Sequence, residues 1–456
     1  YRHSMKKKYV RWTLWTIASP FILFIILCIL IYLPPIQNFL VDKAAVYASE
    51  ATGMNISVGR ISLSFPLNLV VTNVDAASPH NDTLLSVRRL QVNVQLLPLL
   101  KKQVEVDGIS LQGATVNSND LIHGMKLNGT LGELFISSHG VALDPETAIV
   151  NKVLLKDTDL SLCLNDTAAA DTAASDTTYW KIILQDIDLQ NVSFALDMPL
   201  DSLSLAASLD NAILRDGLID LHKSAYSLQT FRIKNGRVRY DSGKPLAADS
   251  LPSGLDPSHI ALTDIGVKLD SLYYGGRNMK AIISQFVLKE RSGVEIVSAT
   301  GRMVSNDKVL RVPSLKLETR DSYLELNAAM DWNALDFKDE GLVSARLMAD
   351  IGKPDVVRFM GSMDEKFIRQ YPSEPLRIRT GIDGDLNKLK LTTLTAELPG
   401  ALGLFARGEL THLTDSLLRG GDITLEAETK DLKFVSTLAE GIEIPYGTRL
   451  EGKFTM

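Results

Sequence analysis

The seven histidines, His3, His80, His123, His139, His222, His259 and His412, are scattered without the spacing that lets two imidazoles share a metal ion. The two cysteines, Cys28 and Cys163, fall in an apolar run and a strand-like run, and form neither a disulfide framework nor a zinc signature. Ser305 and Lys308 have the Ser-x-x-Lys spacing of some hydrolases, but the intervening Asn306 and Asp307 read as a turn between strands. Asp383 and Asp385 are a carboxylate pair of the kind that divides acid and base roles, and they too read first as turn residues. No phosphate-cradling glycine loop, nucleophile elbow or dinucleotide fingerprint occurs. The expectation is a protein that is not an enzyme, with no catalytic residue, no cofactor and no metal.

The elements that would hold any site therefore carry the argument. The net charge of −6 on 456 residues, with no basic stripe in the body, argues against a nucleic-acid partner. From Trp12 to Leu33 no residue is charged. As a helix of about 22 residues at about 1.5 Å each, this run would reach roughly 33 Å, enough for a bilayer core of about 30 Å. Lys6, Lys7, Lys8 and Arg11 precede it, and Asp42 and Lys43 cancel after it, so the positive-inside rule expects a cytoplasmic basic start at 1–11 and an extracytoplasmic body. A cleaved signal peptide is the alternative; the run exceeds the usual apolar region of about 7–15 residues, and Pro34-Pro35-Ile36-Gln37 is a poor cleavage site. The reading is a retained single-pass anchor, 12–33, in an inner membrane.

After a helix expected over 36–52 and stopped by Gly53, the apolar period changes from between three and four to two. Alternating segments, the first of them 56–76, 84–97, 104–116 and 153–164, carry the body over 53–352 as an antiparallel meander. Within them one pattern recurs: apolar-x-apolar-x-x-apolar-x-apolar. Ile109, Leu111, Ala114 and Val116 fit it, as do Ile182, Leu184, Ile187 and Leu189, and Ile260, Leu262, Ile265 and Val267. Phe231, Ile233, Val238 and Tyr240 fit it with Gly236 in the third place. A strict two-residue period would flip the apolar face at the skip, whereas one extra residue, a β-bulge, returns it to the same side and bends the strand. The expected fold is mainly β, an elongated curved sheet whose apolar face is either closed on itself as a sandwich or barrel, or open as a groove.

Asn165–Thr178 and Ser242–Ser258 read as loops, and 353–371 as an amphipathic helix that packs on a core, plugs the groove or lies on a membrane. Alternation resumes over 372–456 and is still running at Met456, so a longer chain is expected.

The stretch from the anchor to Val116 resembles the start of the AsmA-like and TamB family. The resemblance rests on the basic start and apolar run, the helix ending Ala51-Thr52-Gly53, the strand from Ile56 to Ile61, and Asn68 to Val74. It continues through Leu84 to Val94, Leu96-Leu97-Pro98-Leu99-Leu100 and Val104 to Leu111. It implies an elongated β-groove, the β-taco, that carries phospholipid acyl chains across the periplasm between inner and outer membranes. It also implies pairing with an outer-membrane Omp85-class barrel through a C-terminal region beyond this chain. On that reading the groove is lined by Ile109, Leu111, Val116, Ile182, Leu184, Ile187, Leu189, Phe231, Ile233, Val238, Ile260, Leu262, Ile265 and Val267. The rival expectations are an assembly factor for outer-membrane β-barrels and a passive envelope scaffold.

Overall fold

The computed structural model describes residues 35, 39, 41, 43, 45–46, 49–50, 53–64, 68–78, 83–95, 106–118, 124–142, 146–165, 179–243, 254–338, 341–360, 364–438 and 445–455. The expected basic start and membrane span, 1–33, lie outside them, and among the described residues no helix is long and apolar enough to cross a membrane. The eight described positions from Pro35 to Glu50 are helical. Gly53, at φ 69°, sends its N–H back to the Ser49 carbonyl at 2.9 Å, the left-handed stop that a residue without Cβ adopts freely.

Beyond Gly53 the chain is mainly β and divides into two compact units. The first, residues up to Val141 with Ile149–Leu162, contains β1 (Asn55–Ser64), β2 (Asn68–Ala77), β3 (Thr83–Val94), β4 (Val106–Asn117), β5 (Met125–Ala142) and most of β6 (Thr147–Leu164). Strands β1 to β5 pair in order, all antiparallel. The recurring skip falls in line across them. Val58, Val74, Val87, Ala114 and Leu131 form one apolar row, and Ile61, Val71, Leu90, Leu111 and Leu134 form the next. Two residues separate the rows in every strand, so the partners stay in register.

This corrects the expectation of a bulge at Ile109–Val116. Every strand takes the extra residue at the same level, and the result is a crease that crosses the sheet. The crease residues are Gly59, Asn73, Arg88, Gly113 and Gly132, and the line reaches Asp157 of β6. Asn73, Gly113 and Asp157, on alternate strands, have φ of 52°, 63° and 50°. Asn and Asp tolerate this left-handed conformation better than other residues with a side chain, which explains their place in the skip. At Gly132 a Cβ would stand 2.8 Å from Asp157 Cβ, so the crease also demands close approach.

The second unit holds β7 (Lys181–Met198), β8 (Leu203–Asp220), β9 (Ala225–Leu228), β10 (Thr230–Ser242), β11 (His259–Gly275), β12 (Asn278–Glu290), β13 (Glu295–Ser305), β14 (Val309–Thr319) and β15 (Ser322–Asp331). It continues with β16 (Leu342–Ile351), β17 (Leu376–Asp385), β18 (Lys388–Leu398), β19 (Leu402–Thr411), β20 (Gly420–Thr429) and β21 (Arg449–Thr455). Each strand pairs antiparallel with the next, except that β8 pairs with β10 along most of its length and the short β9 fills in between β8 and β11. The bulge expected at Ile182–Leu189 is likewise absent, since Leu184 stays opposite Gly217 and Ile187 opposite Leu214, and β10 stays in register with β8. True register shifts occur between β10 and β11, where bulges are expected, and at further pairs including β12–β13 and β14–β15.

Among the described residues three short α-helices interrupt the meander: α1 (Trp332–Leu335), α2 (Lys353–Phe359) and α3 (Glu365–Gln370). The single helix expected over 353–371 is thus two pieces, with 361–363 outside the described residues. Asp355 of α2 has no exposed surface and accepts hydrogen bonds from Thr319 Oγ1, from Ser322 Oγ at 2.6 Å and from Arg358 at 3.0 Å, tying the helix to the β14–β15 turn. At α3, Asp364 caps the Lys366 N–H at 2.9 Å. Phe367 and Tyr371 pack with Leu398, Ala401, Leu432 and Phe434, which makes this stretch a core-packing element.

Candidate functional site: a half-exposed apolar face

Antiparallel pairing turns alternation within strands into rows across them. In the second unit one row runs from Leu189 of β7 through Ala212, Ile233, Val267, Phe286, Ala299, Leu317, Leu324, Ala349, Ile378, Ala396, Leu404 and Ala427 to Leu450 of β21, with no polar member. The neighbouring row, from Ile187 by way of Phe231, Ile283, Leu326 and Leu347 to Gly452, has one polar member, Thr380. The opposite face is charged and stitched by cross-strand ion pairs such as Arg379–Asp350 at 2.7 Å and Lys388–Glu409 at 3.0 Å.

Each residue expected to line a groove falls on such a face. Ile109, Leu111 and Val116 lie on the apolar face of the first unit. The eleven others, on β7, β10 and β11, lie together on that of the second. Their exposure decides how this face is built. Only Ile265 is buried, at 8%; Ile109 is 36% exposed, and the remaining twelve are in between. A sandwich or closed barrel would bury such positions fully, because facing layers interdigitate at crystal-like density.

Among the described residues, two small clusters cover the outermost rows. At one end of the strands Leu376, Leu398 and Leu402 lie under Phe367, Tyr371 and Phe434. At the other, Ala334 of α1 packs with Val343, Leu386 and the partly buried Met330, Leu389 and Leu413. Between β8 and β12 the rim carries a different feature: Tyr226 and Tyr274, opposite each other on β9 and β11, stack with ring centroids 6.2 Å apart and are 40% and 46% exposed.

Of the carboxylate pair read as turn residues, Asp383 instead lies within β17, opposite Ser344 and Lys390. Asp385 caps the Asn387 and Lys388 N–H groups of the β17–β18 turn, at 2.9 and 2.8 Å. Ser305 and Lys308 flank a turn in which Asn306 Oδ1 accepts from the Lys308 and Val309 N–H groups. His259 meets Asp256 at 2.8 Å, and this hydrogen bond, with that from the Ser258 N–H, holds the Asp256 carboxyl below its ordinary value. Among the described residues no three His, Cys, Asp or Glu gather as a metal site would require.

No protein-family model matches the chain, and no curated protein matches it. The arrangement itself is what speaks to function: an unbroken apolar surface, its larger side chains mostly half-buried and Ala212, Ala299 and Ala349 buried between them, backed by a charged one.

The sequence reading passed over β5 and the clusters at the strand ends. The signal for β5 is present, since Leu131, Leu134 and Ile136 repeat the skip, with Gly132 and Glu133 inside it and Gly129 in the first place. The end clusters had no local signal, because they assemble residues from α3, the β18–β19 turn and the segment after β20.

Proposed function

We propose that the apolar rows shield the acyl chains of phospholipids while their head groups stay in water, and that the chain is a lipid-transfer protein of the bacterial envelope. The observation that carries this reading is the combination of unbroken apolar rows along β7 to β21 with the partial exposure of most of their larger side chains. Burial contributes about 0.8 kcal/mol per methylene and has no direction, so a chain of roughly sixteen methylenes gains on the order of 10 kcal/mol over water. A bilayer offers the same gain. Exchange between membrane and sheet is then close to neutral, and a gradient suffices to drive it. The resemblance of the first quarter of the chain to the AsmA-like and TamB family supports the same reading, including the β-taco groove, the inner-membrane anchor at 12–33, a periplasmic body and an Omp85-class partner at the outer membrane.

Adjacent positions on one strand provide the test. A photoreactive benzoyl side chain at Leu347, in the apolar row, is expected to form phospholipid adducts on irradiation in cells, and the same group at Met348, on the opposite face, is expected to form none. Adducts at neither position, with client protein captured along an exposed strand, would favour the assembly-factor reading instead.

A further inference from the structure

Cations on the charged face of the second unit often meet an acid across the strand, as Arg379 and Lys388 do, whereas β10 gathers four cations of which, among the described residues, Arg237 alone has an ion pair to a neighbouring strand, with Asp210. Arg232, Lys234, Arg237 and Arg239 are all exposed and all project from its outer face. The strand neighbours beneath them are short or neutral. Lys234 lies opposite Asn211, Arg237 opposite Ser208, and Arg239 between Ala206 and Ala261. Arg232 lies opposite Lys268, a like-charge pairing that costs stability. The acids at hand are few: Asp210 is 3.9 Å from Arg237 and holds the Asn235 amide, Asp241 takes Arg239 at 2.6 Å, and Asp270 is 3.8 Å from Lys268.

We infer that this stripe binds an extended acidic peptide segment. Charge complementarity selects an anion, and the shape of the stripe selects its form. It is one strand wide and about eight residues long, roughly 26 Å at about 3.3 Å per residue, and Asp210, Asp241 and Asp270 border it. A planar anionic membrane would meet those acids, whereas a single extended chain would lie between them. Side chains of an extended peptide repeat on one face every two residues, about 6.6 Å, which is the spacing of Arg232 to Lys234 and of Arg237 to Arg239. Arginine guanidinium groups grip carboxylates through two parallel hydrogen bonds, and the small residues beneath leave them room to do so.

The test uses the full chain in a neutral detergent and two fluorescent decapeptides of identical composition. In one, Glu alternates with Thr; in the other, five Glu precede five Thr. Fluorescence anisotropy is expected to show the alternating peptide binding at least fivefold tighter, with affinity falling as salt rises. Arg232→Glu with Lys234→Glu is expected to weaken it at least tenfold. The control Arg377→Glu with Lys388→Glu, where both cations already have acid partners, should leave binding within twofold, and circular dichroism would verify that both variants fold. Equal affinity for the two peptides, or no binding, would overturn the inference. So would a concentration-dependent dimer in sedimentation that the same double substitution abolishes, since the stripe would then serve a second copy of the chain.

Discussion

Leu184 and Ile265 share an apolar face but not an environment, and a carboxylate placed at each should act differently. Ile265 is 8% exposed against Gly236, where an added Cβ would lie 3.2 Å from Ile265 Cβ, so Ile265→Asp buries an unpaired polar group. A loss of about 3 kcal/mol in urea denaturation is expected. Leu184→Asp, at a half-exposed position, should cost less than about 1.5 kcal/mol and keep the sheet, while reducing bound lipid. Glu290 gives a pH signature. Burial alone would raise its pKa, but hydrogen bonds from Ser292 and from the Ala261 and Arg291 backbone outweigh this and bring it below 4.5. A depressed folded value means stability that is present above the ordinary carboxylate range and lost as pH falls through the folded pKa. Thermal midpoints of the Glu290→Gln variant should therefore depend less on pH below about 4.5 than those of the parent.

At the scale of elements, the crease is the feature on which the apolar face depends. Without it the rows led by Val58 and Ile61 would fall on opposite sides of β1. Gly132→Val should overlap Asp157 Cβ and the Lys156 carbonyl, both within 2.9 Å of an added Cβ, and destabilise the first unit by about 1–3 kcal/mol in thermal denaturation. An unchanged midpoint would show that the strands can separate there at no cost. The skip was legible because it is a local pattern: two residues, usually with Asp, Asn or Gly, between apolar positions. What it does was not legible. Whether an extra residue makes a bulge or a crease depends on the partner strand, and only the pairing shows that β1 to β5 take it together whereas β10 and β11 do not. Over the α2–α3 segment Val356, Phe359, Met363 and Phe367 sustain an apolar stripe that by itself predicts one helix. The buried bonds of Asp355 and the Asp364 cap instead define two separate short helices.

For the molecule as a whole, the mainly β architecture and the membership of all fourteen candidate residues in apolar faces followed from periodicity, since a two-residue period survives wherever one side of a sheet avoids water. The choice between a closed core and an open surface did not, because both place the same residues on the same side; their partial exposure is the observation on which the open reading rests. The central claim is that this surface holds acyl chains, and the most direct measurement is mass spectrometry of lipids extracted from the full chain purified in mild detergent, beside its Leu347→Asp variant. The account expects near-stoichiometric phospholipid with the parent and at least a fivefold loss with the variant at unchanged circular dichroism. A parent that is stable and free of phospholipid, or a variant that retains its full complement, would contradict it.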